Sequence, residues 1–281
     1  MSTGIALVRD QRSTLAVEFT KIGAQDALMK LFFCLCLVFI SACITAVRAQ
    51  SSPPLNRLQI KEAERLLAER GYWTGVVDGR FDTGTQSALI AFQKWEGRQI
   101  TGKLTPDEID TIRTSSSPGA RETGYPHVEV DLDRQVLLII NEDGGVKVLP
   151  VSTGSNQPFM DHGKESIAYT PRGRFLVYDK TFGWENGDLG SVYYANYITG
   201  GVAIHGFRSV PTEPASHGCI RIPMFAAREV SKLLILGTIV LVFDKASFVS
   251  GKAWADNPKL KEAALGNSAA RDYLYEREKP R

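Results

Sequence analysis

The residue types that could do covalent chemistry are concentrated in one short part of the chain. Ala203-Ile204-His205-Gly206 precedes Ser216-His217-Gly218-Cys219-Ile220-Arg221. A cysteine thiol must lose its proton to become a nucleophile, and a histidine or a nearby positive charge promotes that loss. A glycine before the cysteine permits a turn whose backbone N–H groups point at one spot, where an oxyanion can bind. The pattern therefore predicts nucleophilic catalysis by Cys219.

The other cysteines do not compete for this role. Cys34, Cys36 and Cys43 lie in or just after one apolar stretch, and Cys219 stands alone in the rest of the chain. If the apolar stretch is removed on export, no intrachain disulfide can form. A single thiol that persists in an oxidising compartment is typical of a catalytic residue.

These segments resemble the signature of the L,D-transpeptidase family, a histidine followed by Ser/Thr-His-Gly-Cys. The likeness extends from Tyr125 to Asp244, and PVSTG at 150–154 and TPRG at 170–173 also stand where the family has them. The resemblance implies a β-rich, sandwich-like catalytic domain at 124–244. It also implies an acyltransferase that exchanges peptide cross-links in peptidoglycan through a cysteine thioester.

The family motif also implies the role of each matching residue. Cys219 is implied as the nucleophile, His205 as the general base, and the carbonyl of Gly206 as the group that orients His205. The thiolate would attack a peptidoglycan stem peptide and release its terminal D-alanine. An amine of a second stem would then resolve the thioester. Water could resolve it instead, which would make the protein an L,D-carboxypeptidase, and a link to a wall-attached protein could also be cleaved.

The remaining motif residues are implied to surround the substrate. His217 and Gly218, with the amide of Cys219, would form the oxyanion hole, and Ser216 belongs to the same substrate-binding set. Arg221 stands where many family members have asparagine, and it would position a substrate carboxylate or the loop itself. The separation of 14 positions between the histidine and the cysteine is short for the family.

Two alternatives to covalent catalysis remain open. A zinc site could use histidine and cysteine ligands, but their spacings match no standard pattern, so neither a metal nor a cofactor is expected. The set considered is His162, His205, His217 and Cys219. A non-catalytic wall-binding anchor is the other alternative, although both His205 and Cys219 are retained. His127 and His162 are interpreted as strand or surface histidines.

The N-terminal 49 residues are interpreted as an extension and a signal peptide. Lys30 precedes the apolar stretch 31–40, which is too short to span a bilayer and suits a signal-peptide core. A cleavage site after Ala49 and a translation start at Met29, rather than Met1, are the working hypotheses. Export to the periplasm or cell envelope follows. Lipidation of Cys43, which would attach the protein to a membrane, is a second interpretation.

Residues 55–113 show the apolar spacing of helices. One helix ends near Gly71, a second follows, and a third begins at Thr105-Pro106, an N-cap followed by a proline at the first helical position. The segment resembles the three-helix peptidoglycan-binding domain. The residues that carry this likeness are Gly71-Tyr72, Gly75, Asp78-Gly79, Phe81, Thr85, Ala88, Phe92-Gln93 and Thr101-Gly102. Phe81, Leu89 and Phe92 are predicted core residues, and Asp78 is predicted to close a turn through its own backbone.

With the rest of the chain included, the predicted fold class is α+β with several domains. Residues 114–123 (with TSSSPG at 114–119) are a predicted linker, and 245–281 are a predicted peripheral tail. Between them, alternating and fully apolar segments predict strands, including Phe175–Tyr178, with one helix at Phe225–Leu234. The aromatic and glycine-rich stretch 182–201 is interpreted either as a lid over the substrate or as packing against the sheets; its aromatic residues are Trp184, Tyr193, Tyr194 and Tyr197.

Overall charge narrows the choice of partners. The formal net charge is +2, and no basic stripe or binding motif accompanies it, so nucleic acid is not an expected partner. The expected partners are the stem peptides and glycan of peptidoglycan.

Overall fold

The computed structural model describes residues 54–247, and these fall within one compact unit. The predicted extension, signal peptide, Met29 start and lipidation site at Cys43 lie outside the described residues, as does the tail beyond residue 247. Within residues 54–247, no helix combines the length and the apolar character needed to cross a membrane.

Three helices come first in the chain, and each begins at a residue whose side chain caps the helix backbone. They are α1 (Arg57–Glu69), α2 (Thr83–Trp95) and α3 (Pro106–Thr114). Asn56, Asp82 and Thr105 accept hydrogen bonds from the first-turn N–H groups of these helices, which would otherwise lack partners. The predicted N-cap at Thr105 is therefore confirmed.

Two predictions for this helical region had different outcomes. The Asp78 carboxylate accepts a hydrogen bond from the N–H of Arg80, so the predicted side-chain turn is confirmed. Leu89 and Phe92 are fully buried, but the prediction for Phe81 is wrong, because its side chain is 39% exposed. Phe81 precedes Asp82, the N-cap of α2, and therefore does not share the helical face that carries Leu89 and Phe92 into the core.

The β-rich region contains twelve strands and one helix within the described residues. In chain order they are β1 (His127–Asp131), β2 (Val136–Ile140), β3 (Val146–Pro150), β4 (Pro158–Asp161), β5 (Lys164–Ile167), β6 (Gly173–Leu176), β7 (Asp179–Lys180), β8 (Trp184–Gly187), β9 (Gly190–Thr199), β10 (Val202–Phe207), β11 (Ile220–Pro223), α4 (Met224–Leu233) and β12 (Ile239–Phe243).

The strands form two larger sheets and one hairpin. The first sheet has the order β3-β2-β1-β12-β6, the second has the order β11-β10-β9-β7 with β8 paired to β9, and β4 pairs with β5. Side chains from both larger sheets and from α4 share one apolar core, as in a sandwich. Each sheet includes one parallel pair, β1 with β12 and β10 with β11.

The chain passes from one sheet to the other just after β6. The predicted strand Phe175–Tyr178 is therefore shorter than expected, since β6 ends at Leu176. The N–H of Val177 still donates to Thr238 beside the first sheet, whereas the N–H of Tyr178 donates to Tyr197 in the second. One apolar segment thus serves two sheets, a division that its sequence pattern does not reveal.

The helical region packs on the first sheet chiefly through α2, and we call this contact the helix–sheet seam. Phe92 of α2 and Tyr72, which follows α1, share a core with Leu138 of β2 and Val148 of β3. The backbone is joined as well: Val148 donates to the carbonyl of Gly71 and accepts from the N–H of Trp73. The edge strand β3 is therefore covered, and the helical region and the sheet are continuous in packing.

Candidate active site

Cys219 lies at the C-terminal end of the loop that leads into β11, and hydrogen bonds fix that loop on both sides. Ser216 Oγ accepts from the N–H of Gly218 at 3.0 Å and donates to the carbonyl of Cys219 at 2.6 Å. Thr170 Oγ1 donates to the carbonyl of Gly218 at 2.7 Å. The thiol is held by its own loop and by a neighbouring segment, so its position is defined before any substrate arrives.

Gly218 cannot be replaced without strain. Its φ is +148°, and a Cβ built there would lie 2.9 Å from the carbonyl oxygen of Tyr169. Both facts favour glycine at this position. The N–H of Gly218 is already used by Ser216, so it is engaged rather than directed at an oxyanion in this state.

His205 projects from β10, whose parallel pairing with β11 places it opposite Arg221. Its Nδ1 lies 3.0 Å from the carbonyl oxygen of Gly206, its own neighbour in the chain. A carbonyl can only accept, so this contact requires the proton on Nδ1 and leaves the lone pair on Nε2. The imidazole is thus oriented by the backbone, and within residues 54–247 no carboxylate lies within ion-pair distance of it.

Gly206 is tightly enclosed on the far side of this strand. A Cβ at Gly206 would lie 2.5 Å from the Cβ of Ala227 on α4 and 3.2 Å from the ring of Tyr193. Any side chain would push β10 away from α4, so glycine here keeps the strand that carries His205 in place.

The site residues share one cavity of about 400 Å³, which we call the catalytic cleft. Its lining includes all but one of the residues that the family motif singled out: His205, Ser216, His217, Gly218, Cys219 and Arg221. Gly206 supports His205 from behind. His217 is exposed, and its ring packs against Phe159 of β4 at a centroid distance of 4.6 Å.

The cleft holds the Cys219 thiol and the His205 imidazole in uncharged forms. Burial lowers the pKa of His205 to about 4, assisted by the positive charge of Arg221 and opposed by the hydrogen bond to Gly206. Burial raises the pKa of the Cys219 thiol, although a backbone hydrogen bond from Ala203 and the charge of Arg221 act in the other direction. At neutral pH the resting pair is therefore a thiol and a neutral imidazole.

Arg221 is fixed between the loop and the cleft. Its guanidinium donates to the carbonyl of Ala215 at 3.1 Å and lies 4.2 Å from the centre of the Phe207 ring. Arg208 makes a similar contact with the ring of Trp184, at 5.4 Å. The backbone of Ser152, from the PVSTG segment, pairs with Arg221 and so ties this segment to the strand that follows Cys219.

The stretch 182–201 forms a β8–β9 hairpin that lines the cleft, a feature that the sequence pattern did not predict. Its aromatic residues divide between the core and the cleft, so the packing interpretation holds for two of them and the lid over the substrate stays a prediction. Tyr193 and Tyr194 pack against the sandwich core, whereas Tyr197 lines the cleft. Trp184 is half-exposed and contacts Tyr193.

Two hairpin tips meet at the rim of the cleft, which the sequence also did not predict. His162, between β4 and β5, contacts Asp161 at 2.7 Å and Asp188, at the tip of the β8–β9 hairpin, at 3.2 Å. His127, by contrast, is a buried strand histidine that contacts Glu129. Among residues 54–247, no group of three or more His, Cys, Asp or Glu side chains is placed to hold a metal ion.

Comparison with known proteins identifies the domains that carry these features. The L,D-transpeptidase catalytic domain family matches residues 125–242, and a family of peptidoglycan-binding domains matches residues 56–112. No protein of curated function matches the chain.

A solved structure gives the same assignment. The crystal structure of an L,D-transpeptidase (residues 123–326) from Xylanimonas cellulosilytica is 32% identical, with a TM-score of 0.63; the match covers 68% of this chain and 100% of that one. An L,D-transpeptidase from Stackebrandtia nassauensis is 25% identical over 67% of this chain and 91% of that one, with a TM-score of 0.38.

The site and these matches define a peptidoglycan-modifying enzyme that works at the cell wall. The chain belongs to the L,D-transpeptidase family and carries a peptidoglycan-binding domain N-terminal to the catalytic domain.

Proposed function

We propose that this protein forms cross-links between peptidoglycan stem peptides through a thioester on Cys219. The observation that carries the proposal is the shared cleft, in which a single thiol and a backbone-oriented histidine face the same space. Cys219 is the nucleophile and His205 is the general base. The domain boundaries are those of the sequence analysis, 55–113 for wall binding and 124–244 for catalysis.

The proposed first half-reaction releases D-alanine. Nε2 of His205 takes the thiol proton as the Cys219 sulfur attacks the carbonyl that joins the third, diaminopimelate-type residue to D-alanine. The same histidine then gives the proton to the departing amine, and a thioester remains. Since the resting pair is uncharged, proton transfer accompanies the attack and does not precede it.

The surrounding residues support the charge that develops during attack. The N–H of Gly218 donates to Ser216. The oxyanion would therefore accept its hydrogen bond from the amide N–H of Cys219, with His217 beside it. Arg221 binds a carboxylate of the stem peptide, since its guanidinium lines the cleft and is only half-buried.

The second half-reaction makes the cross-link. An amine of another stem attacks the thioester, the new amide bond forms, and the thiol is regenerated. The peptidoglycan-binding domain would hold the enzyme on its polymeric substrate, glycan included. Export to the periplasm or envelope, through a signal peptide within residues 1–49, supplies access; membrane attachment through Cys43 is a variant of the same proposal.

The test is mass spectrometry of tetrapeptide muropeptides after incubation with the protein, run beside Cys219→Ala. Cross-linked dimers that are absent with Cys219→Ala are the expected result. Tripeptides without dimers would instead assign an L,D-carboxypeptidase. Unchanged muropeptides, with a folded protein in both samples, would contradict catalysis and favour a wall-binding anchor.

A further inference from the structure

The catalytic cleft has a second wall that the reaction described so far does not use. The β8–β9 hairpin faces the Cys219 loop and contributes Glu185 and Tyr197 to the lining. Antiparallel pairing of Glu185 with Val192 brings β8 alongside β9, and Tyr197 lies further along β9, opposite Ala203 of β10. The hairpin register thus joins two polar side chains that are 12 positions apart in the chain.

The two side chains form a defined pair. Tyr197 donates its phenol proton to Oε2 of Glu185 over 2.8 Å. Burial first, and then Glu185, raises the pKa of Tyr197, so the phenol keeps its proton; the charge that Cys219 carries as a thiolate acts in the same direction. Tyr197 lines the same cavity as Cys219, and its oxygen can still accept a hydrogen bond.

Glu185 differs from the other carboxylates that line the cleft. Asp161 and Asp188 both contact His162. Glu185 has Tyr197 as its hydrogen-bond partner and, among the residues that the structure describes, no basic side chain within ion-pair distance. Within residues 54–247, the other carboxylate oxygen of Glu185 has no protein partner, and the side chain is exposed, so this oxygen can accept a hydrogen bond from a cation in the cleft.

The second half-reaction of transpeptidation brings a positively charged group, the acceptor amine, into the cleft. The acceptor amine is an ammonium group at neutral pH, because a primary alkyl amine has a pKa of about 10. It must lose one proton before it attacks and a second as the amide forms. His205 can accept only one, and burial makes it a weak base, with a pKa of about 4.

Resting on the proposed function, we propose that Glu185 and Tyr197 form the acceptor site, which binds and positions the incoming primary ammonium group. The ammonium donates to the Glu185 carboxylate and to the Tyr197 oxygen. Glu185 is exposed, so the bound ammonium releases its first proton to water.

The remaining step balances in atoms and charge. The neutral amine attacks the thioester carbonyl, the C–N bond forms and the C–S bond breaks. The second amine proton passes to His205 and from there to the departing Cys219 sulfur. An amide and a free thiol result, and no oxidant, metal or further reactant is needed.

The experiment measures both half-reactions on the full chain, with purified tetrapeptide muropeptide as donor and acceptor. Intact-protein mass spectrometry follows thioester formation, and chromatography follows dimers. Glu185→Gln is expected to form the thioester within about twofold of the unsubstituted rate and to lose about 10–100-fold in dimer formation, as expected for a lost charge-assisted hydrogen bond. Tyr197→Phe is expected to lose about 2–10-fold in dimers.

A pH series separates this role from a structural one. The defect of Glu185→Gln should shrink as pH rises toward about 10, where the acceptor is already a free amine. Glu142→Gln is the matched control, because Glu142 is an exposed glutamate on the β2–β3 turn. It should change neither half-reaction.

The two proposals fail in different ways. Equal losses of thioester and dimer in Glu185→Gln, or no loss in either, would overturn the acceptor site and leave the function of Cys219 intact. A defect that does not change with pH would also overturn it. Absence of any thioester on the unsubstituted protein would overturn both proposals.

Discussion

The helix–sheet seam and the catalytic cleft are built on different sheets of one compact unit, and they differ in how far their polar groups are exposed. At the seam, Phe92, Leu138 and Val148 are almost fully buried, and Lys94, which is also buried, donates to two carbonyls. The Tyr72 hydroxyl is buried there as well and has no hydrogen-bond partner among the residues that the structure describes. In the cleft, Cys219 is partly exposed and Glu185 is exposed. The polar groups of the seam are thus enclosed by protein, whereas those of the cleft are open to a ligand.

This difference separates the expected effects of substitution. Seam residues stabilise the helices and the sheet together, because they belong to one core. Cleft residues are expected to govern reaction rate, and Gly218 among them is a glycine whose replacement would strain the backbone. A substitution at the seam should therefore change the free energy of unfolding, and one in the cleft should change catalysis more than stability.

The largest effect is expected from Phe92→Ala at the seam. Phe92 is fully buried and packs edge-to-face on Tyr72, with ring centres 5.7 Å apart. Its removal leaves a cavity, so the free energy of unfolding should fall by about 3–5 kcal/mol. Calorimetry should show one transition that shifts as a whole, since the helices and the sheet share this core.

Separate melting of the helices and the sheet is the outcome that would contradict this expectation. If the helices melt first and the sheet transition stays where it was, the seam is a contact between independent domains. Leu58→Ala is the control on the same helical region. Leu58 is 79% exposed, so its loss should change the free energy of unfolding by less than about 0.5 kcal/mol.

Gly206→Ala tests whether the strand behind His205 tolerates a methyl group. The new Cβ would lie 2.5 Å from that of Ala227, so overpacking should cost about 1–3 kcal/mol of stability. Displacement of β10 should also lower the rate of thioester formation. Chemical denaturation and the thioester assay measure the two effects.

Gly187→Ala is the matched control for this substitution. Its Cβ would meet only the carbonyl oxygen of Gly190, at 3.6 Å, so stability should change by less than about 0.5 kcal/mol. An unchanged thioester rate in Gly206→Ala would contradict the positioning role of this glycine.

Lys94→Met tests the polar part of the seam through pH. Burial lowers the pKa of Lys94 to about 7, with the charge of Glu213 acting in the other direction. The unfolded chain has the higher pKa, so between pH 7 and about 10 it binds more protons than the folded chain. The contribution of Lys94 to the free energy of unfolding should therefore rise with pH across that window, by at most about 1.4 kcal/mol per pH unit.

The measurement is denaturation of both proteins at several pH values from 7 to 9. The unsubstituted protein should gain stability relative to Lys94→Met as pH rises. Lys103→Met, at an exposed position, should follow the unsubstituted curve. Parallel curves for Lys94→Met and the unsubstituted protein would show that the buried amine does not titrate in this range.

The meeting of Cys219 and His205 in one cleft could be predicted from sequence, because their positions are close in the chain and their types are specific. His205 stands on β10 and Cys219 directly precedes β11, the parallel partner of β10, and the chemistry of thiol and imidazole limits what they can do together. The helices of residues 55–113 were predictable for a similar reason, since caps such as Thr105 act within one turn.

Features that depend on pairing register could not be predicted in this way. The exposed strands β4, β5 and β8 show no clear alternation of apolar residues, so the hairpins that frame the cleft were not predicted. Glu185 and Tyr197 meet only because β8 and β9 pair in one register. Lys94 resembles an ordinary helix-surface lysine until α2 is packed between the helical core and the sheet.

The smallest effect is expected at the rim of the cleft, where His162 joins two hairpin tips. Hydrogen bonding to Asp161, and then the charges of Asp161 and Asp188, raise the pKa of His162. The charged contact is therefore fully present below the ordinary histidine pKa and is lost as pH rises through the raised value. Its exposed position means that global stability should not change measurably.

Hydrogen exchange at residues 187–190, corrected for the intrinsic effect of pH, can detect this contact. Protection of the β8–β9 tip should fall as pH rises from 6 to 8 in the unsubstituted protein and should stay low throughout in His162→Gln. Lys164→Gln, an exposed substitution on the same hairpin, should keep the pH response. If His162→Gln shows the same protection as the unsubstituted protein at pH 6, the tips are held by the backbone alone. The cleft would then resemble the seam in being closed by structure that does not depend on charge.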